Sequence, residues 1–184
     1  MKLKDIIMEQ EQKGSYAGVK FSPATIHRLK VYIKDNNIPN PLRSDKLHTT
    51  LLYSRKYLPD YKPAGAYASP MVGTPTKLDV WKTKPDDEST PANCLVLEYD
   101  CTDLTARHKL LMEEYDATFD YPEYRPHITL SYDIGDIDYK ILPDVSTIGP
   151  IEIVEEYSED LDFNWAVNKG TKNTRTGEKD RRSQ

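Results

Sequence analysis

Between Ser15 and Phe21 the chain alternates, with Ala17, Val19 and Phe21 on one face and Tyr16, Gly18 and Lys20 on the other. That period of two predicts a half-buried strand. Ser22-Pro23 reads as a helix cap followed by proline in the first turn, and Ile26, Leu29 and Ile33 continue at helical spacing as far as Asn36-Asn37. The loop Ile38-Pro39-Asn40-Pro41 leads to a strand expected over Lys46–Ser54. Tyr57–Pro75, rich in Tyr, Pro and Gly, reads as a long loop holding one short strand at most, and loops of that length often act as lids. Strands are expected at Thr76–Thr83 and Asn93–Asp100, joined by the acidic turn Pro85–Pro91.

Thr102 or Asp103 then caps a helix expected over Leu104–Thr118, whose Leu104, His108, Leu111 and Tyr115 share one face. A strand follows at His127–Asp133, and Gly149–Tyr157 with Leu161–Val167 suggests a closing hairpin. Residues 1–13 fit a short helix. Each half thus carries a strand, a helix and a histidine-bearing strand, an α+β arrangement with internal duplication. One catalytic domain is expected over 1–167, followed by a disordered basic tail over 168–184 that has no apolar residue from Asn168 onward.

Composition narrows the function. With 184 residues, 38% hydrophobic and 30% charged, the chain resembles an ordinary globular protein. No apolar run is long enough to span a bilayer, and the N-terminus breaks into charge too early for a signal peptide, so a cytoplasmic protein without membrane partners is expected. The net charge of -5 argues against binding long nucleic acid, while a small anionic ligand remains compatible with a local positive pocket. Cys94 and Cys101 are too few and too widely spaced for a disulfide framework or a zinc knuckle, and Cys94 is expected to pack reduced in a strand.

The segments His48-Thr49-Thr50-Leu51-Leu52-Tyr53 and His127-Ile128-Thr129-Leu130-Ser131-Tyr132 share the pattern His-x-Thr-Leu-x-Tyr. In a strand, side chains at i and i+2 share a face, so His48 projects with Thr50 and His127 with Thr129. Leu47, Leu51, Ile128 and Leu130 then anchor the opposite face, and Tyr53 and Tyr132 share that anchoring parity, which sets them outside the site. Two imidazoles supply a general base and a general acid at neutral pH, and threonine hydroxyls can donate to phosphate oxygens where charge builds. A lone His-x-Thr is ordinarily an interior hydrogen-bonded pair; its repetition after a helix in each half points to one shared site. His27 and His108 lie on amphipathic helices and read as packing or surface groups. No metal-binding motif, Gly-rich phosphate loop or Ser/Cys nucleophile signature is present, so neither metal nor cofactor is expected.

At these residues the chain resembles the two-histidine (2H) phosphoesterase superfamily, over about residues 15–167. Its size and its segment Gly14-Ser15-Tyr16-Ala17-Gly18-Val19-Lys20-Phe21 are similar to the bacteriophage anti-CBASS phosphodiesterases, which destroy the cyclic oligonucleotide signals of bacterial antiphage immunity. The resemblance implies a bilobal fold with two pseudo-symmetric antiparallel sheets flanked by helices. It also implies metal-independent cleavage of 3′,5′-linked cyclic di- and trinucleotides such as cyclic GMP-AMP inside the host cell. His48, Thr50, His127 and Thr129 take the catalytic places, and Tyr16 that of a base-clamping aromatic.

The residues themselves put Tyr16 beside Lys20 on the non-core face, although a surface tyrosine covering a strand fits equally. Glu155 shares the parity of Ile151 and Ile153, so it either faces the site as a substrate-binding group or merely marks the acidic end of the strand. Trp81 and Trp165 read as core residues before stacking ones. Three alternatives stay open: cleavage of 2′,5′-oligoadenylate, cleavage of an RNA 2′,3′-cyclic phosphate, and a non-catalytic sponge for cyclic nucleotides.

Overall fold

The computed structural model describes residues 13–83 and 91–162. Six strands and two helices follow one another as β1 (Lys13–Phe21), α1 (Pro23–Asp35), β2 (Thr49–Ser54), β3 (Gly65–Lys82), β4 (Asn93–Asp100), α2 (Thr102–Tyr115), β5 (His127–Ser131) and β6 (Ile151–Asp162). The strands form one antiparallel sheet in the order β2-β1-β6-β3-β4-β5. A pseudo-twofold relates β1-α1-β2 with β6 to β4-α2-β5 with β3, so the duplication expected from sequence is present. The two expected sheets are joined, because β3 pairs with β6 from Gly65↔Glu156 to Gly73↔Ile151. The two outer strands are β2, which His48 directly precedes, and β5, which His127 opens.

Local chemistry explains the elements. Ser22 caps α1 by accepting from the Thr25 amide, with Pro23 in the first turn. Ala17, Val19 and Phe21 of β1 share one buried core with Leu29, Tyr32 and Ile33 of α1, continued by Leu95, Leu97, Tyr99, Leu104, Leu111, Ile128, Leu130, Ile151 and Ile153. Burying side chains of this size contributes about 1.5–3 kcal/mol each.

Several expectations are corrected. The segment read as the loop Tyr57–Pro75 is strand from Gly65 onward, because register shifts at Ala66/Met71 and Pro75/Lys77 accommodate Pro70 and Pro75. The strand expected from Lys46 starts at Thr49, after a turn of 3-10 helix at Ser44–Lys46, and β5 stops at Ser131 rather than Asp133. The second helix opens at Thr102 with Cys101 in the cap position and ends at Tyr115, where Asp116 turns left-handed at φ 50°. The closing element is a single strand to Asp162. Trp165, the tail from Asn168 and the helix expected over residues 1–13 lie outside the described residues, except Lys13, which opens β1.

Two bulges matter for the site. In the β1–β2 ladder Ala17 faces Leu52 and Gly18 faces Thr50, which leaves Leu51 as an extra residue. In the β4–β5 ladder Leu95 faces Ser131 and Val96 faces Thr129, which leaves Leu130 as the extra residue. Both leucines are fully buried. The irregularity therefore falls at the same position of each His-x-Thr-Leu-x-Tyr segment.

Candidate active site

The histidines are held alike. His48 Nδ1 lies 2.8 Å from the Lys46 carbonyl, and His127 Nδ1 lies 2.9 Å from the Arg125 carbonyl, each two residues back. A carbonyl only accepts, so each Nδ1 carries the proton and donates it. That leaves Nε2 of both rings as the nitrogen that exchanges a proton.

The threonine next to each histidine occupies an equivalent place. Thr50 lies opposite Gly18 and shares a hydrogen bond of 3.2 Å with the Tyr16 hydroxyl, while Thr129 lies opposite Val96. Tyr16 presents its edge to His48, with ring centroids 6.3 Å apart. On the other side Trp81 packs on His127 at 4.2 Å, with Arg125 over its indole at 5.5 Å. Trp81 is half-buried against a motif histidine, not the core residue expected, because it pairs with Cys94 on the β4 face that carries Val96 and Glu98.

The strand carrying His48 is braced from below. Tyr124 donates its hydroxyl to the Thr50 carbonyl at 2.8 Å, and His108 donates Nδ1–H to the carbonyl of the bulge residue Leu51 at 2.7 Å. His108 stacks on Tyr124 at 4.0 Å, nearly parallel. Burial holds His108 below the ordinary histidine value, so its neutral form satisfies a carbonyl left over by the bulge. His27, the other histidine set aside from the site, is exposed on α1.

A pocket of about 510 Å³ opens over His48 and Thr50. Tyr16, Lys20, Asp45, Lys46, Tyr53, Tyr132, Tyr157 and Glu159 also line it. His127 and Thr129 are not in its lining, yet the second segment reaches it through Tyr132.

Tyr53 and Tyr132 overturn the parity reading. Strict alternation put them with the anchoring leucines, but the bulges at Leu51 and Leu130 each add one residue and return both tyrosines to the histidine side. The adjacent apolar pair Leu51-Leu52, both fully buried, was the sequence signal of that break.

Tyr157 was also missed. It faces Gly18 across the β1–β6 ladder, and a Cβ at Gly18 would come within 2.6 Å of its hydroxyl. The Lys20 ammonium lies 5.0 Å from the Tyr157 ring centroid.

Glu155 is half-buried opposite Lys20 and does not line the pocket. A shift between Lys20 and Phe21 makes Val154 the extra residue, so Glu156 rather than Glu155 shares the core face of Ile151 and Ile153. Glu156 accepts from Tyr61 and Tyr67 at 2.6 Å each, and from Arg107 at 3.0 Å.

Electrostatics distinguish the two halves. Burial is the largest influence holding His127 below the ordinary histidine value, and the positive charges of His48 and Arg125 act in the same direction. Burial likewise raises the Tyr16 phenol, which stays protonated and able to donate. Among the described residues no group of three or more His, Cys, Asp and Glu side chains is gathered to hold a metal ion, and no helix is long and apolar enough to cross a membrane.

Two pseudo-symmetric His-x-Thr segments, each histidine aimed by the carbonyl two residues back, match the pattern that the sequence shares with the two-histidine phosphoesterases. The model of the family described as anti-CBASS protein Acb1 matches residues 13–168, and the chain belongs to that family. The chain is 37% identical over 166 residues to the anti-CBASS protein Acb1 of Acinetobacter phage Ac42, covering 90% of this chain and 99% of that protein. It is 36% identical over 153 residues to the anti-CBASS protein Acb1 of Enterobacteria phage T4, covering 83% and 91% of the two chains. Among solved structures, apo LigT of E. coli is similar with a TM-score of 0.46 and 15% identity, covering 79% of this chain and 86% of LigT.

Proposed function

We propose that this protein is a phosphodiesterase that opens 3′,5′-linked cyclic oligonucleotides and so counters CBASS immunity in a phage-infected host. The observation that carries the reading is the mirrored pair of Nδ1–H bonds to the Lys46 and Arg125 carbonyls. They orient two Nε2 atoms for proton transfer, and membership of the anti-CBASS family directs the reading to the signal molecule. A site that only bound phosphate would be served as well by Arg or Lys, with no need for two aimed imidazoles.

The chemistry follows from these side chains. One imidazole takes the proton of a ribose 2′-hydroxyl as its oxygen bonds to the adjacent phosphorus. The bond from phosphorus to the departing 5′-oxygen breaks, and the other imidazole supplies that oxygen with a proton. The product is a linear oligonucleotide ending in a 2′,3′-cyclic phosphate, which water opens to a 3′-phosphate with the two roles exchanged. His127, whose surroundings disfavour the imidazolium, takes the base role in the first step, which leaves the acid role to His48. Thr50, Thr129 and the Tyr16 hydroxyl donate to the phosphate oxygens as charge builds there. Lys20 and Lys46 draw the anion into the pocket, and Tyr16, which lines it, contributes to substrate binding.

The test is to incubate the protein with cyclic di- and trinucleotides, with and without EDTA, and to resolve the products. Linear products unaffected by chelator are expected, with His48→Ala and His127→Ala inactive and a 2′-deoxy substrate resistant. Bound but intact substrate would identify a sponge, and cleavage restricted to 2′,5′-linked oligoadenylate or to RNA cyclic phosphate ends would move the activity to those substrates.

A further inference from the structure

We infer that Tyr53 and Tyr132 are nucleobase-binding residues, so that the repeated functional unit is the whole His-x-Thr-Leu-x-Tyr segment. This rests on the nucleotide reading above.

The two bulges sit at the same position of both segments, and both bring a tyrosine onto the pocket that holds His48 and Thr50. A bulge gives up ladder pairing, so its repetition at equivalent positions is explained by what it re-aims. Tyr53 stands directly opposite Tyr16 in the β1–β2 ladder, which places two aromatic side chains in register beside the histidine.

Tyr132 makes the stronger case. Tyr132 is 59% exposed while lining the pocket, which leaves its side chain open to a ligand there. Its backbone is nevertheless fixed: its amide donates to the Asn40 carbonyl at 3.2 Å, and its carbonyl accepts from Cys94 Sγ at 3.2 Å. A tyrosine on a fixed backbone offers a broad face and has only two side-chain torsions to order on binding. Bases stack on such faces irrespective of sequence. Because one tyrosine comes from each half, the matching ligand carries two nucleobases about one scissile phosphodiester, as a cyclic dinucleotide does.

The experiment uses the full chain and the 3′,5′-linked cyclic dinucleotide of adenosine and guanosine. KM and kcat are measured for the wild type, Tyr132→Ala, Tyr132→Phe, Tyr53→Ala and Tyr53→Phe, with Tyr121→Ala as an exposed tyrosine outside the pocket. Kd is read by calorimetry for the same variants in a His48→Ala background, and melting curves check that each is folded. Loss of stacking predicts a rise of roughly 5- to 150-fold in KM and Kd for each alanine variant, with kcat largely kept, while phenylalanine and Tyr121→Ala stay near wild type. KM and Kd within twofold of wild type for folded Tyr132→Ala and Tyr53→Ala overturn the inference, as does a loss confined to kcat. Binding without cleavage by the wild type overturns the catalytic reading alone, and the calorimetric arm still decides the tyrosines. No binding by the wild type overturns both.

Discussion

The hydroxyl of Thr49 donates to the carbonyl of His127 at 2.8 Å, so the residue between the first histidine and its threonine ties one motif strand to the other. The same hydroxyl accepts from Tyr99 at 2.8 Å, and Thr49 is fully buried. This chain of bonds spans the two outer strands of a six-stranded sheet, where no ladder joins them. Thr49→Val keeps the shape but leaves a buried phenol and a partly buried carbonyl without their partner. Each such group costs about 1–3 kcal/mol. Thr49→Val is therefore expected to melt several degrees below wild type and to lose kcat, because the carbonyl it releases belongs to His127. A melting point and kcat both equal to wild type would show that the strands are held together by other contacts.

The pH profile reports His127. Its pKa lies below the ordinary value of about 6.5, so the neutral base survives into mild acid. The acid limb of kcat/KM should accordingly fall below pH ~6.5, with activity lost as pH drops through the lowered pKa. Arg125→Met removes one positive charge near the ring and leaves Glu98, which faces His127 in register, without its guanidinium partner. Both changes favour the imidazolium, so the acid limb should move to higher pH. A limb that stays put or moves down would remove His127 as the group that titrates there.

How much of this was legible in the sequence follows from which rule each element obeyed. Ala17, Val19 and Phe21 alternate without interruption, and α1 carries a serine cap and a proline start, so β1 and α1 could be read directly. The histidines and threonines precede the bulges, and parity placed them on one face. Tyr53 and Tyr132 follow the bulges, and the same rule put them on the wrong side. Glu155 and Glu156 fell to the same cause at Val154. Alternation counts residues, and it fails wherever one residue is added. The apolar pair Leu51-Leu52 hints at one such place, and tertiary satisfaction, such as His108 reaching the Leu51 carbonyl, fixes it. Trp81 escaped for another reason: its neighbours His127 and Arg125 are distant in sequence.

The carboxylate that the sequence reading passed over makes the next prediction. Glu156 is 1% exposed, and burial alone would raise its pKa, but bonds from Arg107, Tyr61 and Tyr67 outweigh that and hold it below the usual carboxylate range. A depressed folded pKa means stability that is complete above the unfolded value of about 4.3 and is lost as pH falls through the lower folded value. Glu156→Gln should flatten this acid dependence. At pH 7 it should cost near the low end of the roughly 3–5 kcal/mol typical of breaking a buried pair, because the Arg107 side chain keeps 23% of its exposure. Chemical denaturation of both proteins at pH 7 and pH 4 checks this; equal pH slopes would mean that the carboxylate is not ionised in the folded protein.

Lys20 offers a test of how the anion is drawn in. Its exposed ammonium lines the pocket and lies 5.0 Å from the Tyr157 ring centroid, on a strand whose neighbours also bring Glu155 and Glu159 to that face. The chain as a whole carries a net charge of -5, so a local cation is needed to offset repulsion of a phosphodiester ligand. Lys20→Met keeps most of the apolar stem and removes the charge. Its KM should rise by about tenfold at low salt, the fold-change of roughly 1.4 kcal/mol, with kcat largely retained because Lys20 is not placed to exchange protons. Raising ionic strength should weaken the wild type toward the variant while changing the variant little, since screening acts on the interaction already removed. Parallel salt dependences for the two proteins would instead assign the attraction to Lys46, the other lysine of the pocket, or to charges outside it.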